Sequence, residues 1–206
     1  FEEGPGSVAK LGTRMKSVGG TMAIGRTFKE AFQKGLGGRG TGRAGFGFDG
    51  KEDGFADMAE HNFATAVAEA SYRRIFALSH AFDKSMSVAE VHKLSGIDPW
   101  FLREMEELAA FAKHIKNDIG SLAKLDPALF RQAKAFGFSD RQLAHLLSTS
   151  EDEVRKARHA AGLRPSYQLV DTCAAEFLSA TPYYYSTYGS QESASASDDI
   201  AGGRDS

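Results

Sequence analysis

Between residues 54 and 162 almost every apolar-periodic stretch carries its own start and stop signal, and this constrains the fold more than any other feature. Ser87 is followed three residues on by Glu90, a capping box, and Gly96 closes that short segment. Asp98 with Pro99 reads as an N-cap with proline at the first helical position. The helix it opens is the longest, expected to reach about Lys116. Phe101, Met105, Leu108, Ala112 and Ile115 recur along it at +4, +7, +11 and +14, one stripe of a helix. Arg103, Glu104, Glu106, Glu107, Lys113 and Lys116 fill the remainder as a solvated face. Asp126-Pro127 repeats the start signal, and Gly137 stops a helix carrying Leu129, Phe130, Ala133 and Phe136. Ser139 and Ser150 open two more, with Gln142 and Glu153 at the capping-box positions, and Gly162 and Pro165 close the set. Residues 55–68 and 72–82 are also apolar-periodic; Tyr72, Ile75, Phe76, Leu78, Ser79 and Phe82 give the second a broad face. The expectation is a compact, mainly α domain.

The residues before this body read differently. Residues 1–11 are loop-like, broken by Gly4, Pro5 and Gly6. Residues 18–24 are a candidate strand, and Thr27 is an N-cap with Glu30 at the capping-box position. Phe28, Ala31, Phe32 and Leu36 then line one helical face. The glycine-dense run at 35–50 matches G-x-G-x-x-G twice, at 35–40 and 40–45. A dinucleotide site needs that run between a strand and a helix, so that helix N–H groups meet the pyrophosphate. Here the run follows a helix and no helix starts at its end, so it reads as a flexible linker with Phe46 and Phe48 anchoring its far end.

After the helices, residues 167–188 read YQLVDTCAAEFLSATPYYYSTY. Tyr167, Leu169 and Val170 are strand formers, Asp171 and Thr172 punctuate them, and Cys173-Ala174-Ala175 allows close backbone packing. Glu176, if buried, needs a fixed partner. Tyr183, Tyr184, Tyr185 and Tyr188 add aromatic bulk whose hydroxyls need partners when buried. On physics alone this is a tightly packed connector and not a catalytic segment.

Composition narrows the function. A formal charge of -2 with a pI near 6.3 gives no global reason to expect nucleic acid or an anionic membrane as partner. The chain has no run of about 18 apolar residues, so no membrane span is expected. Its one cysteine, Cys173, forms no intramolecular disulfide, fits a reducing cytoplasm, and has no histidine nearby in sequence to activate it. His61, His80, His92, His114, His145 and His159 show no H-x-x-x-H or cysteine-paired spacing, so no metal site is expected. Glu106 and Glu107 diverge by about 100° on a helix, which argues against a catalytic carboxylate pair. The rival reading is a helix-turn-helix DNA-binding module centred on residues 139–161, with Arg155, Lys156, Arg158 and His159 on its second helix. Glu151, Asp152 and Glu153 oppose it, because they stand where a recognition helix meets phosphate.

Several motifs together resemble one family. MKSVGGTMAIGRTF at 15–28 resembles the close of the first ATP-grasp unit in the carbamoyl phosphate synthase large subunit. Ser87 to Leu102 matches the family's S-V-x-x-V-x-x-L-T-x-I-D-x-W-F-L, with a departure around Ser95-Gly96. VDTCAAEF followed by TPYYYSTY resembles the end of that subunit's oligomerisation domain, so Asp171, Thr172, Cys173, Glu176, Tyr185 and Tyr188 are the structural signature. Gly20 stands where most relatives have a glutamate that lines an internal route for carbamate, which makes Gly20 the tunnel-lining candidate.

The resemblance covers residues 13–188 and implies a multi-helix oligomerisation domain with a short strand-helix remnant of an ATP-grasp unit at the N-terminus. It divides the chain into a remnant at 1–36, a Gly-rich linker at 37–54, the helical domain at 55–188 and a polar linker at 189–206. It also implies a cytoplasmic ATP-dependent ligase making carbamoyl phosphate from bicarbonate, ATP and glutamine-derived ammonia, for arginine and pyrimidine synthesis. ATP with Mg2+ or Mn2+ (and K+) belongs to other parts of that enzyme. No catalytic, cofactor-binding or metal residue is expected in this segment, which is expected to be inactive alone. The implied partners are the rest of the large subunit, a glutaminase small subunit and further copies through the helical domain, with no nucleic acid and no membrane. The start at Phe1 and the polar run at 189–206 fit a piece of a longer polypeptide.

Overall fold

The computed structural model describes residue 13 and residues 20–51, 53–170 and 183–188. It contains eight α-helices and one two-stranded sheet among those residues. Helix α1 (Phe28–Gly37) comes first, and residues 20–24 ahead of it form no strand, against the expectation for 18–24. The β-forming character of that stretch finds no neighbouring strand among the described residues to pair with. Thr27 caps α1 by accepting from Glu30 N, but the Glu30 carboxylate accepts from Arg26 N, one residue earlier than a capping box requires.

Helices α2 (Glu60–Ala68), α3 (Arg74–Asp83), α4 (Val88–Ser95) and α5 (Pro99–His114) form a packed group in which α5 touches α3, α4 and α1. α2 begins five residues later than the periodicity predicts, because residues 55–59 instead form a turn that buries Phe55. Ser87 and Glu90 make the full reciprocal cap, and Gly96 closes α4 in the left-handed conformation. α5 ends at His114, and the last turn, Ile115–Ile119, widens into a π-helical turn before Gly120.

The stripe on α5 is shifted by one position at its start. Met105, Leu108, Ala112 and Ile115 are buried as expected, whereas Phe101 is 42% exposed and Leu102 takes the core position. The helix begins beside α1, so Phe101 packs against Phe28 and Trp100 at the rim of the interface.

Helices α6 (Pro127–Ala135), α7 (Asp140–Leu146) and α8 (Glu151–Ala160) follow the predicted caps, with Asp126, Ser139 and Ser150 as N-caps and reciprocal boxes at the last two. Strand β1 (Ser166–Val170) then pairs antiparallel with β2 (Tyr183–Thr187), in register from Ser166 opposite Thr187 to Val170 opposite Tyr183. The tyrosine run therefore includes a strand. Tyr183 and Tyr184 are exposed and Tyr185 and Tyr188 half-buried.

The largest correction concerns the glycine-rich run. Residues 43–49 are packed into the core and not a flexible linker: Phe46 is completely buried, and Arg43 and Asp49 nearly so. Phe46 lies against Phe32 with ring centroids 5.2 Å apart, and against Phe48 at 6.4 Å. The two phenylalanines do anchor the run, with Phe46 seated against Phe32 of α1 and Phe48 beside it.

Candidate functional site

The polar groups that the fold buries lie on α1, the glycine loop, α3, α6, α7 and β2. Glu30, Gln33, Arg43, Asp49, Lys134, Gln142 and Thr187 are all buried. Burying such groups costs free energy unless each finds partners, so their partners reveal what the arrangement holds together.

Gln33 on α1 and Gln142 on α7 clamp the glycine loop. Gln33 Oε1 accepts from Phe46 N at 2.7 Å and from Gln142 Nε2 at 3.2 Å. Gln142 Nε2 also donates to Gly47 O at 2.8 Å, while its Oε1 completes the α7 cap by accepting from Ser139 N at 3.0 Å. Ser139 Oγ reaches Ala44 O at 3.3 Å. One side chain thus serves as helix cap and loop clamp together. Gly45 lies so close that a Cβ there would meet Gln33 Oε1 at 2.3 Å, and its φ of +137° already excludes most side chains.

Arg43 and Asp49 lock the same loop from inside. Two guanidinium nitrogens meet the two Asp49 oxygens at 3.0 Å each, and a third nitrogen bonds Asp53. Asp49 also accepts from Ala44 N at 2.9 Å. Burial pushes the Asp49 carboxyl up, but Arg43 and the backbone N–H groups more than reverse this, so it sits below the ordinary aspartate value. The guanidinium covers the Phe76 ring at 4.2 Å, which ties the loop to α3.

Two further ion clusters join helices. Lys29 Nζ of α1 lies 2.7 Å from both Glu104 and Glu107 of α5. These carboxylates are therefore not simply a solvated face: two of the three hold a partner 75 or more residues away in sequence. Burial lowers the affinity of Lys29 for its proton, but the two carboxylates outweigh that and its pKa is raised. On the other side, Asp140 holds Lys134 at 2.8 Å and Arg158 at 3.1 Å. Burial raises the Asp140 carboxyl, and Lys134 and Arg158 overcome it, leaving it below the usual range. Burial dominates at Lys134, whose pKa is lowered. The Tyr188 ring packs over both cations, 5.2 Å from Lys134 Nζ and 6.0 Å from the Arg158 guanidinium carbon.

The signature residues divide accordingly. Tyr188 joins this cluster, and Tyr185 lies 5.8 Å from Lys34 Nζ. Asp171, Thr172, Cys173 and Glu176 lie outside the described residues. Gly20 is exposed, and nothing lies within 4 Å of where its Cβ would be. The glutamine clamp has no local signal in the sequence: the spacing after Ser139 marks Gln142 only as a capping residue, and nothing local shows that Gln33 stands beside it.

No group of three or more His, Cys, Asp or Glu is gathered for a metal ion among the described residues. No helix among them is long and apolar enough to cross a membrane. The helix-turn-helix reading finds no support. Arg155 pairs with Glu151 and Asp152 of its own helix, and Arg158 turns inward to Asp140, so both arginines of the second helix are occupied. The arrangement holds segments in fixed relation.

A family model described as the carbamoyl-phosphate synthetase large chain, oligomerisation domain, matches residues 20–162. The chain is 48% identical over 192 residues to the carbamoyl phosphate synthase large chain of Synechocystis sp., covering 93% of this chain and 17% of that protein. It is 45% identical over 201 residues to the large chain of Rhodopirellula baltica, covering 97% of this chain and 18% of that one. With the large chain of Archaeoglobus fulgidus the identity is 43% over 196 residues, covering 94% and 18%. The chain therefore spans less than a fifth of the length of the curated relatives it matches.

Proposed function

The chain belongs to the family of the carbamoyl-phosphate synthetase large-chain oligomerisation domain, and from that premise we propose that it is a scaffold segment with no reaction centre of its own. It joins and spaces the flanking parts of a large chain, and its helical surface mediates self-association. The activity to which it contributes is the ATP-dependent synthesis of carbamoyl phosphate from bicarbonate and glutamine-derived ammonia. ATP, Mg2+ or Mn2+ and K+ are held by those flanking parts, and the glutaminase small subunit is a further partner. The setting is the cytoplasm, and the product supplies arginine and pyrimidine synthesis.

One observation carries the scaffold reading. Six of the nine large hydrophobic side chains exposed among the described residues lie on the first segment and the hairpin: Met22, Ile24, Tyr167, Leu169, Tyr183 and Tyr184. Met22 is 88% exposed, a cost that a lone domain has no reason to accept. Apolar side chains exposed at those two segments are what a spacer presents to the units it separates. The division into a remnant at 1–36, a loop at 37–54, a helical domain at 55–188 and a linker at 189–206 fits this use, with Gly20 near the route between units.

Sedimentation of the 206-residue chain over a range of concentrations, with a parallel ATP-turnover assay, tests the reading. Self-association without turnover is expected. A chain that stays monomeric throughout, or that turns over ATP stoichiometrically, overturns it.

A further inference from the structure

We propose that Glu30 and Lys34, one turn apart on α1, form a joint that couples the segment preceding α1 to strand β2, so that displacement of either is passed to the other. Each of the two side chains touches both segments. Glu30 is 2% exposed, and its Oε2 accepts from Arg26 N at 2.8 Å and from Thr187 Oγ1 at 3.0 Å. Thr187 is itself buried and stands 157 residues further along the chain. Lys34 Nζ donates to Ile24 O at 3.1 Å and to Ser186 O on β2. The same ammonium lies 3.0 Å from Glu30 Oε1, an ion contact off the hydrogen-bond direction. Residues 24 and 26 on one side and 185–187 on the other are therefore gripped by one oppositely charged pair.

The character of the joint follows from burial. An apolar contact slides at little cost, whereas a buried carboxylate that loses one donor must be rehydrated or left unpaired. Glu30 therefore resists partial separation: β2 stays with α1 or leaves it altogether. A second route from the hairpin to the helices exists at Tyr188, over Lys134 and Arg158, but it reaches α6 and α8 and bypasses α1. The contacts of Glu30 and Lys34 thus couple the first segment to β2 through α1. The bland alternative is that Glu30 merely ends a helix favourably, its charge near the N-terminal dipole. A helix cap has no need of Thr187.

The use of such coupling between flanking units rests on the scaffold reading, but the joint itself is a property of this chain. Hydrogen exchange measured on the 206-residue chain tests it with Glu30→Gln, Thr187→Val and the double variant. Glu30→Gln is expected to speed exchange of the 166–170 and 183–187 amides by roughly ten- to a hundred-fold. Thr187→Val should loosen the amides around Arg26 and Glu30 in turn, and the double variant should be no faster than either alone. Amides in α5 to α8 should keep their wild-type rates. If Glu30→Gln does not fold, Thr187→Val alone decides, because it leaves the α1 cap intact. Faster exchange confined to α1, or fully additive effects, overturns the joint. A chain that never self-associates yet shows the coupled exchange would sink the scaffold reading and leave the joint standing.

Discussion

Replacing Gln142 with methionine separates a packed glycine loop from a tether more cleanly than any other single change. Methionine is close in volume and flexible, so the cavity contribution is small and polar losses dominate. Gln142→Met removes the bond to Gly47 O at 2.8 Å and the bond to Gln33 Oε1 at 3.2 Å, both buried. It also removes the acceptor that completes the α7 cap at Ser139 N. Each net hydrogen bond is worth about 1 kcal/mol, and the cap about the same. The two buried bonds and the cap together bring the loss to about 3 kcal/mol. Against a typical total of about 5–15 kcal/mol that is a large fraction. With a urea slope of about 2 kcal/mol/M, the unfolding midpoint should fall by about 1.5 M. Proteolytic cleavage within 37–50 should rise together with it. A midpoint shift below about 0.3 M, with unchanged cleavage, would mean that the loop hangs free of Gln33 and Gln142 and that the packing argument fails.

Two other outcomes follow from single positions. Gly20→Glu places an acidic side chain at an exposed residue whose Cβ would touch nothing within 4 Å, so its unfolding free energy from urea titration should match wild type to within about 0.5 kcal/mol; a marked loss would show that residue 20 is packed. His80 sits between the rings of Phe55 and Phe63, with Lys84, Asp83 and Asp53 as the charges facing it. Burial first, and then Lys84, hold its imidazole below the ordinary value of 6.5. Its contribution is therefore fully present above about pH 6.5 and is lost as pH falls from there through the folded pKa. Wild type should lose stability between about pH 7 and 5 while His80→Phe stays flat, as urea midpoints across that range would show; equal slopes would remove His80 as the cause.

Helix positions were legible because helix ends are decided by neighbours in sequence. Ser87 with Glu90, Ser139 with Gln142 and Ser150 with Glu153 cap within one turn, and proline after Asp98 and Asp126 acts through its own ring. The family likeness was legible for a related reason: its motifs are short and contiguous. The phase of α5 was nearly so, and failed only at Phe101, where the end of the helix meets α1 and a rim position replaces a core one.

The glycine loop and the Glu30 joint were not legible, and the reason is distance along the chain. Glycine density says that a backbone is free to bend, and nothing about whether something holds it once bent. What holds it is Gln142, 109 residues from Gln33, and Thr187 stands farther still from Glu30. The sequence by itself determined the helix ends that carry a cap, because those choices are made within one turn, whereas the start of α2, which has no side-chain cap, was set by the burial of Phe55. Only the tertiary structure decided which loop is rigid and which segments move together, because a buried polar group is stable solely beside a partner that folding brings to it.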